Sequence, residues 1–189
     1  IKKNIEKNLF LIIKTKLIFV CAYHKALSYY ITGMDNDRKY LRKAVSLAAE
    51  GIKKGCGPFG AIIVYGDKII ARANNRVVLS SDPTAHAEIV AIRKAASRLG
   101  SHDLSACVLY TSCEPCPMCL GALYWAGIRR VVYASTRYDA ASAGFSDNEI
   151  YNEIALDPEK RKVEFLRIDD AGGSYVFRMW NDFEDKIPY

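Results

Sequence analysis

The sequence predicts an α/β fold of three layers, α/β/α, around a mixed central sheet of about five strands. Three observations predict it. Helical and strand patterns alternate from residue 34 onward. The strand candidates are short and bounded by turn residues. No linker or internal repeat divides the chain, so layered packing around one core follows. A length of 189 residues, half of them apolar and a quarter charged, suits one domain with a core of its own.

Asp37 to Lys54 carries Leu41, Val45, Ala48 and Ile52 at helical spacing, and Gly55 supplies a stop. Phe59 to Tyr65 and Lys68 to Ala73 flank Gly66-Asp67, the pattern of a β-hairpin with a two-residue turn. Leu79 to Asp82 reads as a polar connector, and Thr84 to Leu99 as a second helix ended by Gly100. Cys107 to Thr111 is apolar without alternation, which predicts a strand covered on both faces. Cys116 to Ala126 predicts a third helix closed by Gly127, and Arg130 to Ala134 a further strand. The last third predicts helical turns near Asp139–Ala143 and Glu149–Ile154, a strand at Val163–Ile168 and a terminal helix near Tyr175–Glu184.

The net charge of +6 raises nucleic acid as a partner, but its distribution argues against one. Residues 1–33 hold six lysines and one acid, which leaves 21 basic against 20 acidic side chains in the rest. A nearly neutral body makes a weak case for a polyanionic substrate. The apolar runs Leu9–Ile13 and Leu17–Val20 are broken by Lys14-Thr15-Lys16, which disfavours a membrane span. Residues 1–33 are read as an extension outside a functional domain of residues 34–189.

Six cysteines are present, three of them crowded at Cys113, Cys116 and Cys119. Pairing them as disulfides would remove the thiolates that a metal needs, so a reducing, cytoplasmic setting is expected. His86-Ala87-Glu88 followed by Pro115-Cys116-Pro117-Met118-Cys119 has the form of the zinc nucleobase deaminase signature. One imidazole and two thiolates, from His86, Cys116 and Cys119, leave a fourth tetrahedral position on zinc for water. Glu88, two residues beyond His86, is placed to carry that water's proton without ligating the metal. A redox Cys-x-x-Cys pair and a closed structural site with Cys113 as fourth ligand are the alternatives. Pro115 disfavours the second, because it breaks a continuous helical face through all three cysteines.

From about Met34 the chain resembles the cytidine deaminase-like superfamily, and within it the bacterial guanine deaminases. The resemblance rests on Gly57-Pro58-Phe59-Gly60-Ala61, Asn74-Asn75, residues 82–88 and residues 110–119. More discriminating stretches are Leu123-Tyr124-Trp125-Ala126 and Asp139 to Asp147. It implies a zinc hydrolase that deaminates free guanine to xanthine and ammonia in purine catabolism or salvage. Glu88 and Asp147 would then be catalytic, and Phe59, Asn75, Ala87 and Tyr189 would bind substrate. The family often reads Gly-Phe-Asp-Asp where this chain has Gly144-Phe145-Ser146-Asp147. The resemblance further implies one zinc per subunit and a homodimer, with no nucleic acid or membrane partner. Its C-terminal tail, with Trp180, Phe183 and Tyr189, would be swapped onto the partner's site. A tRNA adenosine deaminase is the alternative in the same chemistry; a non-catalytic zinc module is the alternative outside it.

Overall fold

The computed structural model describes residues 33–168 and 171–187; most of the N-terminal extension and Tyr189 lie outside the described residues. Helix α1 covers residues 33–52. It is followed by β1 (Gly60–Tyr65), β2 (Lys68–Asn74), α2 (Val77–Ser80), α3 (Ala87–Leu99) and β3 (Cys107–Cys113). Then come α4 (Pro117–Trp125), β4 (Arg130–Ser135), α5 (Arg137–Ser142), α6 (Asn148–Ile154) and α7 (Gly173–Asp182). The expected hairpin forms, with Gly66 at φ +59 in its turn. Where a polar connector was expected, the short α2 stands instead.

The sheet runs in the order β2-β1-β3-β4. β1 is antiparallel to both β2 and β3, whereas β3 and β4 are parallel, so the sheet is mixed. Alternation along β1 and β3 divides the core in two. Ile62, Val64 and Tyr110 meet Tyr40 and Ala44 of α1 on one face. Ala61, Ile63, Cys107 and Leu109 meet Ala87, Ala91 and Ala95 of α3 and Leu123 of α4 on the other. The three-layer expectation therefore holds, with four strands among the described residues. Val163–Ile168, expected as a fifth strand, joins no sheet there. Its neighbourhood is held instead by local bonds: Lys162 N–H donates to Glu153 Oε2, and Arg161 Nε to the carbonyls of Glu153 and Leu156.

Helix α1 buries part of the expected face, Ala48 with Leu41 packed against the core, but is rotated relative to Leu41, Val45, Ala48 and Ile52 as a set. Val45 and Ile52 are exposed, and Tyr40, Ala44 and Ala48 are buried. The reason is Gly60. A Cβ there would lie 2.3 Å from the Ala44 carbonyl and 2.5 Å from the Ala48 nitrogen. Helix and strand thus meet nearly backbone to backbone, with the small side chains of Ala44 and Ala48 at the closest approach. Gly60→Ala is expected to destabilise the fold by about 1–3 kcal/mol through overpacking, measured by urea denaturation; unchanged stability would mean that α1 can withdraw freely.

Arg130 Nη1 and Nη2 donate to the Asp37 carboxylate at 3.0 and 2.5 Å, tying β4 to α1, and Tyr110 Oη donates to it at 2.7 Å. On the opposite edge, Lys94 Nζ donates to the Arg72 carbonyl (3.0 Å) and Arg98 Nη1 to the Ile70 carbonyl (3.1 Å). No described helix is long and apolar enough to cross a membrane.

Candidate active site

Two helix starts converge at one end of the sheet. The second and third long helices were expected to begin at Thr84 and Cys116; they begin at Ala87 and Pro117. His86 is the N-cap of α3 (φ −63, ψ 154) and Cys116 the N-cap of α4 (φ −66, ψ 170), both extended. The delay before α3 has a local cause. Asp82 Oδ1 accepts from both the backbone N–H and the hydroxyl of Thr84, a turn that competes with helix. Pro117 fits the first helical position because its missing amide hydrogen would have had no partner there. Neither cap side chain closes its own helix, so imidazole and thiol remain available to each other.

His86 Nδ1 lies 3.5 Å from Cys116 Sγ and 3.6 Å from Cys119 Sγ. All three ligand atoms fall within 4.8 Å of one another. Tetrahedral zinc with ordinary Zn–S and Zn–N bonds needs N···S separations of about 3.5–3.6 Å. The residues present therefore fit zinc, and they fit it with three protein ligands. Cys113 stands apart: its Sγ donates to the Thr136 carbonyl at 3.5 Å, and burial pushes its thiol up to about 11. The closed four-ligand alternative has no support among the described residues.

Electrostatics within the cluster follow from one shared proton. Cys119 hydrogen-bonds to Cys116, which holds the Cys116 thiol down against burial, with His86 adding to the effect. The same bond, then burial, then the Glu88 charge push Cys119 up. His86 is raised, chiefly by its bond to Cys116 and against the effect of burial. A dication on these atoms displaces the shared proton, since thiolates rather than thiols bind metal.

Glu88 is the second residue of α3, in its first turn, and is 4% exposed. Burial pushes its carboxyl up, while its own backbone amide and the Thr111 hydroxyl pull it down. Its Oε2 faces Cys119 Sγ at 3.6 Å, and its Oε1 accepts from Thr111 Oγ1 at 2.8 Å. Ala87, between Glu88 and His86, is fully buried. Asp147, the N-cap residue of α6, is half-buried and raised, first by burial and further by the Cys116 charge. That coupling brings it within electrostatic reach of the cluster.

Phe59 and Asn75 are also joined. The Asn75 N–H donates to the Phe59 carbonyl at 2.9 Å, and Asn75 Oδ1 accepts from Val77 N–H at 3.1 Å. Asn75 is buried. The Phe59 ring meets Phe145 edge-on, with centroids 5.0 Å apart and an interplanar angle of 87°. Sequence reasoning singled out neither Phe145 nor Thr111. Phe145 lies within the discriminating stretch ending at Asp147, which was the available signal.

Residues 34–135 match the family model of the cytidine and deoxycytidylate deaminase zinc-binding region. The chain belongs to this family. Its members are zinc hydrolases of C–N bonds, in keeping with a three-ligand site beside a buried carboxylate. Among relatives of this deaminase, the guanine deaminase of Bacillus subtilis is 50% identical over 155 residues, 82% of this chain and 99% of its own. The crystal structure of that protein superposes with a TM-score of 0.79, covering 80% of this chain and 98% of the other. A guanine deaminase from Nitrosomonas europaea is 36% identical, with a TM-score of 0.55 over 64% of this chain and 66% of the other. The tRNA-specific adenosine deaminase of Bacillus subtilis is 37% identical, over 74% of this chain and 86% of its own.

Proposed function

We propose that this deaminase hydrolyses free guanine to xanthine and ammonia, with residues 34–189 forming the deaminase domain. The observation that carries the reading is the 50% identity to a guanine deaminase along almost its whole length, joined to the three-ligand site beside Glu88. When bound by His86, Cys116 and Cys119, zinc acts as a Lewis acid that makes water a nucleophile near neutral pH. Two thiolates balance the charge of the dication, so the water is acidified less than beside three imidazoles and needs a base at hand. Glu88 is that base. Its carboxylate takes a proton as the water oxygen bonds to C2 of guanine and passes it to a ring nitrogen; it then takes the proton of the new C2 hydroxyl and gives it to the departing amine as the C2–N bond breaks and the carbonyl forms.

The remaining roles are those the resemblance implies, and residue chemistry suits them. The Phe59 ring offers an apolar face to a planar base, and the Asn75 amide can donate to its edge. The backbone amide at Ala87 would face the substrate from the start of α3. Asp147 handles the amino group and its proton.

We also read the enzyme as a cytoplasmic homodimer with an exchanged C-terminal tail. In support, no residue of α7 is buried, and Tyr175, Val176, Phe177, Met179, Trp180 and Phe183 expose their apolar surface. The reducing location rests on the thiolates: all five described cysteines are free. Against a tRNA substrate, Arg130 is engaged by Asp37 and Arg137 lies against the rings of Tyr138 and Tyr151. Neither is free to build a phosphate track.

The test is ammonia release and ultraviolet change by the zinc-loaded full chain on guanine, cytosine, adenine and tRNA. Turnover of guanine alone is expected. Inosine formed in tRNA, with guanine untouched, would overturn the substrate and keep the chemistry.

A further inference from the structure

β3 presents Cys107, Leu109, Thr111 and Cys113 to the face covered by α3 and α4, and the first two belong to the apolar core there. At Thr111 the apolar series is interrupted by a hydroxyl in a residue with 0% exposure. A buried hydroxyl is stable only with a partner, and its partner is Glu88 Oε1, at 2.8 Å. A carboxylate only accepts, so the hydroxyl donates. The other side-chain contact of Glu88 is the thiol of Cys119, 3.6 Å from Oε2. Once Cys119 ligates a metal it is a thiolate and has no proton to give. Among the described side chains, Thr111 is then the one donor left on Glu88.

We propose that Thr111 is a positioning residue for the proton carrier. Its hydroxyl anchors Oε1 against the floor of the sheet and keeps Oε2 turned toward the metal ligands, where the reacting water and the base must meet. This rests on the reading of Glu88 as proton carrier. The anchor sits on a central strand, paired on both sides by β1 and β4, so it holds its place while the α3 start and the substrate adjust. It also explains why a polar residue occupies a site shaped for an aliphatic one.

The experiment compares Thr111→Val, which keeps the shape and deletes the hydroxyl, with Thr111→Ser, which keeps the hydroxyl and deletes a methyl. For Thr111→Val we expect kcat on guanine to fall about 10- to 100-fold, the range for losing a supporting hydrogen bond, with KM within about twofold and full zinc content. Thr111→Ser should lose thermal stability yet retain kcat within a few-fold. A purely structural role predicts the reverse order, and wild-type kcat in zinc-loaded Thr111→Val overturns the proposal. Should Thr111→Val not fold, Thr111→Ala against Thr111→Ser applies the same criterion. Adding Thr111→Val to Glu88→Gln should cost no further activity. Full activity in Glu88→Gln alone would instead sink the reading of Glu88, which keeps the two failures apart.

Discussion

Replacing Glu88 by Gln is expected to leave zinc bound and to slow guanine turnover by about 10²- to 10⁴-fold, the usual contribution of a positioned acid–base group. The substitution preserves size and one acceptor oxygen for the Thr111 hydroxyl, so the fold and the metal ligands are undisturbed. What it removes is the capacity to hold a proton between water, ring nitrogen and leaving amine. Burial already biases this carboxyl toward its protonated form, which suits a group that must both take and return a proton. Metal content and ammonia release on the same preparation decide the matter. Undiminished turnover with zinc retained would remove Glu88 from the mechanism.

Cys116→Ala is expected to strip the site of zinc and, with it, all measurable turnover. Two ligands remain in that variant, and one of them, Cys119, lies in a place where burial and the Glu88 charge oppose ionisation. The neighbouring Cys113→Ser serves as the contrast: its side chain points to the Thr136 carbonyl, and zinc stoichiometry should stay at one per chain. Equal zinc loss in both variants would show the ligand set to be misassigned.

The zinc ligands and Glu88 were legible because their chemistry is local. Two residues separate Cys116 from Cys119 and one separates His86 from Glu88, and such spacings survive any uncertainty about the fold. The convergence of the two segments, at 3.5 Å between His86 and Cys116, was legible only as a resemblance. The start of α3 was misplaced by three residues, because periodicity cannot see the Asp82–Thr84 turn that holds the chain extended before Ala87. The buried face of α1 was misread for a similar reason: Val45 and Ile52 are more apolar than Ala44, yet the approach of Gly60 admits only small residues. Thr111 was legible only as the end of a buried strand within the stretch 110–119, not as a partner of Glu88. Its meaning is a contact across 23 positions of sequence, made by the packing of β3 against α3. Val163–Ile168 is rich in β-branched and aromatic residues as a strand is, but composition supplies no partner, and the bonds to Glu153 hold its approach elsewhere.

The two flanks of the sheet differ in what they can receive. Along β2, Lys94 and Arg98 already occupy backbone carbonyls, and charged side chains of this kind repel a foreign strand. β4 has no such guard among the described residues. β2 is therefore the guarded flank of the sheet, the one whose backbone is least open to a foreign strand.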